Sequence, residues 1–171
     1  MRESILIITL FLTIVGCGEN RSYSAKKKEV QVITLDSSLL VKEINDYKIK
    51  VDSIKFDLDS LQRDVYESAE GGIVRSFYNQ SDTLKKEVVY YGETGKRMLE
   101  IYQKQGKSVL IKDVLISYTE PINVDKDVEI RDSITNVYYL DSQQNLIYWI
   151  KDNQVMPSSQ YVKQEKEIIK Q

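Results

Sequence analysis

The sequence predicts an α+β domain in which one long N-terminal helix packs on an antiparallel β-meander of about six strands. Apolar residues at 40, 44, 47, 51, 54, 58, 61 and 65 repeat at spacings of four and three, the stripe of an amphipathic helix. After Gly72, Tyr, Val and Ile become frequent and short polar turns recur. Turns this short join neighbouring antiparallel strands, so the second half reads as a meander rather than as alternating strands and helices.

The first element is not part of that domain. Met1 to Ser4 carry one Arg and one Glu, and an apolar run from Ile5 to Val15 follows. A membrane span needs roughly 20 apolar residues to cross a core of ~30 Å, so this run has the length of a signal-peptide h-region instead. Gly16 and then Cys17, the only cysteine of the chain, stand directly after it. The polar stretch from Glu19 to Lys28 reads as a tether that would reach some 30 Å when extended at ~3.3 Å per residue. Within it, Lys26-Lys27-Lys28 is a solvated basic run.

Glu29 to Leu35 alternates loosely and reads as a short edge strand, and Asp36-Ser37-Ser38 is a cluster of helix N-cap residues. The helix then runs from Leu40 to Val65, with Gly71-Gly72 as its stop. A rival strand alternation between Lys48 and Asp59 slips register at Ser53, whereas the stripe does not. Within the helix, Asp46 with Lys50 and Asp59 with Arg63 have the spacing of surface ion pairs. Strands follow at 73–78, 84–91, 97–103, 108–118, 133–140 and 146–151. Along the fourth of these, Val109, Ile111 and Leu115 share one face while Leu110, Val114, Ile116 and Tyr118 share the other. Both faces are apolar, which predicts a central strand covered by the helix on one side and by the tail, a partner or a ligand on the other. The tail, 158–171, reads as a short amphipathic helix with Tyr161, Val162, Ile168 and Ile169 on one side. The resulting organisation is a signal peptide at 1–16, an anchor and tether at 17–35, a helix-plus-sheet domain at 36–157 and the tail.

Composition narrows the chemistry. The chain of 171 residues has 24 Lys and Arg against 26 Asp and Glu, a near-neutral balance that offers no basic surface for nucleic acid. It contains no histidine, which removes imidazole general bases, Ser-His pairs and His-ligated zinc or copper. With Cys17 consumed by an anchor, an exported domain would have no disulfide and would be held by packing alone.

Motifs add little catalytic machinery. Gly92-Glu93-Thr94-Gly95-Lys96-Arg97 ends in Gly-Lys, but Tyr90 and Arg97 occupy the Gly and Ser/Thr positions of a phosphate loop, so a hairpin turn explains it. Asp125-Lys126-Asp127-Val128-Glu129 alternates carboxylates as calcium loops do, yet Ile130 and Asn136 replace the required Gly and Glu. The abundant Asp and Glu are not paired by any spacing that would place two across a glycosidase cleft. Twelve tyrosines and one tryptophan suit a half-buried pleated surface before they suit a ligand platform. No motif requires a cofactor or a metal.

The short apolar run, Gly16 and the sole Cys17 together resemble the lipobox of bacterial lipoproteins, whose cysteine takes a diacylglyceryl group and becomes the mature N-terminus. That resemblance implies lipidation at Cys17, export and attachment to a bacterial membrane; two acyl chains hold a protein stably where one does not. Gly18, in place of an aspartate that would signal inner-membrane retention, implies the outer membrane. The anchor, helix and meander, with Glu70-Gly71-Gly72 and Tyr90-Tyr91-Gly92-Glu93-Thr94-Gly95-Lys96, look like small uncharacterised envelope lipoproteins of Gram-negative bacteria. A weak internal repeat, Phe77-Tyr78 then Leu84, Ile101-Tyr102 then Val109, and Tyr138-Tyr139 then Leu146, resembles the MORN-like antitoxin repeats of the YwqK type. Gln105-Gly106 stands where that family has asparagine-glycine.

These readings lead to a non-catalytic, lipid-anchored envelope protein that binds a protein or glycan partner, without nucleic acid or cofactor. The alternatives are an immunity or antitoxin-type inhibitor and, behind it, a carboxylate-dependent hydrolase. Replacing Cys17 with Ser is expected to abolish fatty-acid labelling in cells and to leave unprocessed precursor; unchanged labelling would refute the lipobox.

Overall fold

The computed structural model describes residues 22–68, 70–122 and 128–168, with side chains in the first helix from residue 37 onward. Cys17, the signal segment and the Asp125-Lys126-Asp127 carboxylates lie outside the described residues. The chain divides into two compact units, Met1–Leu35 and Asp36–Gln171. In the first, the described residues 22–35 are helical, the opening part of α1 (Ser22–Ile54). The edge strand expected at Glu29 to Leu35 is therefore helix, and Asp36-Ser37-Ser38 lies inside a helix instead of capping one. The last part of the expected tether is helical too, rising 1.5 Å per residue rather than ~3.3 Å.

The second unit is a single antiparallel sheet of eight strands in sequence order: β1 (Asp59–Val65), β2 (Gly72–Asn79), β3 (Asp82–Gly92), β4 (Gly95–Lys104), β5 (Lys107–Tyr118), β6 (Ile130–Leu140), β7 (Leu146–Lys151) and β8 (Gln154–Val155). A short helix, α2 (Tyr161–Ile168), closes the described chain. The six expected strands are β2 to β7, each within a few residues of its expected ends; β1 and β8 bring the number to eight. Tight turns set the register. Gln105 and Gly106 both have positive φ between β4 and β5, as do Asp152 and Asn153 between β7 and β8, the requirement of a two-residue turn whose twist matches the strands.

The helix is shorter at its C-terminal end than the apolar stripe implied, stopping at Ile54 where Val65 was expected. Residues four apart share a face in a strand as well as in a helix, so Leu61 and Val65 fit both periods. Seven residues of β1 pair with β2, and Val65 joins the sheet's core. Gly71-Gly72 consequently ends no helix: Gly71, at φ +71°, makes the β1–β2 connection. Asp59 and Arg63 lie on one face of a strand, not one face of a helix. An i,i+4 ion pair on α1 joins Lys48 to Asp52 at 2.7 Å.

Alternation sends successive side chains to opposite faces of the sheet. On one face Ile44 and Val51 of α1 pack against Tyr102, Leu110 and Tyr139, with Leu40, Val41 and Tyr47 at the margin. On the other, Val65, Val74, Val88, Leu99, Ile111, Tyr138, Leu140, Leu146 and Trp149 form one continuous cluster that Ile168 of α2 completes. β5 is thus apolar on both sides because each side faces a core, and the tail supplies part of the second cover. Of the tail residues expected to be buried together, Tyr161 and Ile168 are, whereas Val162 is 66% exposed.

The α1 face also holds charge. The ammonium of Lys85, only 5% exposed, lies 2.9 Å from Asp52 of α1, 3.1 Å from Glu100 and 3.3 Å from Glu87, and sits over the Tyr102 ring. Tyr102 donates its hydroxyl hydrogen toward the Asp52 carboxylate at 2.8 Å, and Lys55 adds an ion pair to Glu87 at 2.5 Å. Burial pushes the Asp52 carboxyl up, but hydrogen bonds from Lys48, Lys85 and Tyr102 outweigh it and hold the group at about 2. Burial acts the same way on Glu100, and the Lys85 and Lys112 charges carry it below its ordinary range. Burial alone would lower Lys85; its bonds to Tyr102 and Asp52 and the Glu100 charge raise it instead, so it stays an ammonium.

Two outcomes follow from this network. Lys85→Met strands carboxylates at the helix–sheet interface and is expected to cost about 3 kcal/mol in urea unfolding. Asp52 and Glu100 are held below their unfolded values, so their stabilisation is complete above about pH 4.5 and fades as pH falls toward 2. Asp52→Asn should flatten that acid slope between pH 5 and 2, and an unchanged slope would assign the acid lability elsewhere.

Candidate functional site

The face opposite α1 carries a second charged pair, set among apolar residues of the core. Strand register arranges it in rows: Arg97, Leu115 and Ile134 lie side by side, then Leu99, Asp113, Asn136 and Lys151, then Ile111, Tyr138 and Trp149. Arg97 sits one row from Asp113 and reaches it diagonally. Its Nε and Nη2 donate to the two Asp113 oxygens at 2.9 and 2.7 Å, the bidentate fork that a planar guanidinium makes with a carboxylate. Asp113 is buried, so the fork is largely withdrawn from water.

Around this pair the side chains of four strands and α2 line a cleft of about 480 Å³, with Leu115, Asn136, Tyr138, Trp149, Lys151 and Gln164 among its walls. The Trp149 indole N–H donates to Asn136 Oδ1 at 3.0 Å, and its ring is tilted against Tyr138 at a centroid separation of 5.8 Å. Gln164 of α2 donates to the Tyr138 hydroxyl at 3.0 Å. The helix itself is fixed by Glu165, whose carboxylate accepts the Leu146 backbone N–H at 2.7 Å. A cleft therefore remains where α2 ends and the sheet continues.

Electrostatics hold the Arg97 guanidinium and the Tyr138 phenol each in one protonation state. The Asp113 fork raises the Arg97 guanidinium further above its already high value. Burial first, and the Asp113 charge second, push the Tyr138 phenol well above its usual range, so its hydroxyl keeps its hydrogen. Asn136 spends its carbonyl oxygen on Trp149, which leaves its NH₂ as donor; the Arg97 fork uses two of the five guanidinium N–H bonds. The formal charges on the lining residues, Arg97 and Lys151 against Asp113 and Glu167, sum to zero. Such a site can orient a polar ligand through several hydrogen bonds and press it against apolar carbon.

No family model matches the chain, and no curated protein or solved structure is significantly similar to it. The site therefore stands on its own geometry.

Gly92 to Arg97 forms the β3–β4 hairpin, in which a Cβ on Gly95 would stand 2.1 Å from the Ile116 carbonyl oxygen; close backbone approach, not phosphate, explains that glycine. Only Arg97, at the end of that motif, belongs to the cleft. No group of three or more His, Cys, Asp or Glu able to hold a metal occurs among the described residues, and no described helix is long and apolar enough to cross a membrane. What sequence reasoning missed was Asp113: on β5 it falls between Ile111 and Leu115 on a face otherwise apolar, and a carboxylate at a core-facing position is itself a signal. Arg97→Ala should leave Asp113 buried without its cation and cost about 3 kcal/mol in denaturant unfolding. A loss below about 1 kcal/mol would mean that water replaces the guanidinium.

Proposed function

We propose that the chain is a non-catalytic envelope protein, anchored through lipid at Cys17 and exposed at the outer membrane, whose cleft between β4–β7 and α2 holds an uncharged glycan segment. The observation that carries this reading is the composition of the cleft: paired charges of zero sum, an amide, a phenol and an indole edge, and aliphatic carbon from Leu115 and Ile134. The lining carries no net charge to favour a charged ligand, whereas a sugar offers hydroxyls for the Asn136, Tyr138, Gln164 and Lys151 side chains and C–H faces for the apolar walls. A non-catalytic role is supported by Asp52 and Glu100, the carboxylates among the described residues whose pKa moves: both are drawn down by lysines, the opposite of what a general acid requires.

Trp149 is the chain's only tryptophan, so its emission reports the cleft directly. Titrating the detergent-solubilised full chain with neutral N-acetylglucosamine oligomers is expected to give a saturable change in that emission. Gln164→Ala, which removes one hydrogen-bonding group at the rim, should weaken binding up to about tenfold. No saturable change with millimolar oligosaccharide would overturn the glycan reading.

A further inference from the structure

We propose that a second copy of this chain docks along β1, antiparallel and centred on Leu61, so that the two sheets join edge to edge. The two ends of the sheet are built differently. β8 is two residues long and runs directly into Met156-Pro157, the kind of short, proline-flanked edge that resists further pairing. β1 at the other end has none of these guards. It is seven residues long, contains no proline, and pairs with β2 without the register shift that interrupts several other ladders of the sheet. In an antiparallel ladder alternate residues direct their N–H and C=O groups away from the neighbour, so β1 presents its outer edge as a template.

The side chains of β1 choose the occupant. Asp59, Leu61 and Arg63 share one face, since they pair with Tyr78, Ser76 and Val74, and all three are exposed, Leu61 by 61%. A twofold axis through Leu61 and normal to the sheet sets Leu61 against Leu61 of the second copy. It also sets Asp59 against Arg63 on one side and Arg63 against Asp59 on the other. Centring one residue later opposes Leu61 to Arg63 and Asp59 to Val65, and centring on Arg63 opposes two like charges. The Leu61 register thus joins an apolar centre to two opposite-charge cross-strand pairs, the combination that stabilises antiparallel strands. Just beyond the two ends of β1 stand Phe56, in the turn at Lys55–Asp57, and Tyr66. These are the two most exposed large apolar side chains of the described residues, at 95% and 84%. An isologous contact of this kind closes on itself as a dimer and leaves no β1 edge for further growth.

Charge exchange tests the register independently of the cleft. The full chain in detergent is expected to sediment as a dimer; Asp59→Arg and Arg63→Asp, each of which opposes like charges twice, should weaken it at least about fivefold. The doubly substituted D59R/R63D chain restores both pairs and should recover the dimer. Leu61→Cys in membranes should give an oxidised species of twice the monomer mass, which the unsubstituted chain does not give. A monomeric wild-type chain, or a double exchange no more dimeric than its parents, would overturn the proposal.

Discussion

The arrangement of the Asp36–Gln171 unit turns on one buried ammonium. Lys85 projects from β3 toward α1 and is surrounded by Asp52, Glu87 and Glu100 at hydrogen-bonding range, with the Tyr102 ring beneath it. Desolvating a lysine is costly, and that cost is recovered only while the carboxylates remain in place. Asp52 belongs to the helix and Glu100 to the sheet, so the ammonium can be satisfied in one orientation of α1 and not in a rotated one. Apolar contacts between Ile44, Val51, Leu110 and Tyr139 supply much of the attraction, but contacts of that kind are non-directional. Direction comes from the ions, and from the Tyr139 hydroxyl bonded to Asn45 at 3.0 Å.

Because α1 fixes one face, the other is left to a much smaller cover. α2 spans eight residues and is fastened at β7 through Glu165 and Ile168. A sheet whose strands reach from β1 to β7 with a continuous apolar cluster cannot be roofed by two turns of helix. The protein places a bidentate ion pair, two aromatic rings and three amide or amine groups at the margin of that roof. Buried groups that are fully hydrogen-bonded can stay there without destabilising the core. The same arrangement gives a ligand a rigid floor, since each lining side chain except those of α2 stands on a strand fixed by its neighbours.

The strands were legible because alternation and turn residues are local. β2 to β7 follow from runs of Tyr, Val and Ile interrupted by Asn-Gln-Ser-Asp, Gly-Glu-Thr-Gly and Gln-Gly turns, and each turn fixes the register of the next strand. β1 was not legible, because Leu61 and Val65 satisfy both periods and only β2 lying alongside decides between them. β8, two residues long, is too short to show any period. Glu29 to Leu35 is helix where a strand was expected, because its alternation is too weak to decide between the two periods.

Of the candidate cleft, almost nothing could be read from residue order. Arg97 and Asp113 are sixteen residues apart, and Trp149 and Gln164 belong to different elements; only a meander in this register sets them around one space. The sequence by itself determined an α+β domain, its meander order and the absence of imidazole chemistry, because composition, alternation and turn chemistry act over a few residues. The tertiary structure alone decided where the helix stops, which face each charge occupies and which polar groups converge. Those depend on pairing and burial between segments distant along the chain, and no local pattern encodes the free energy of a contact with a neighbour not yet in place.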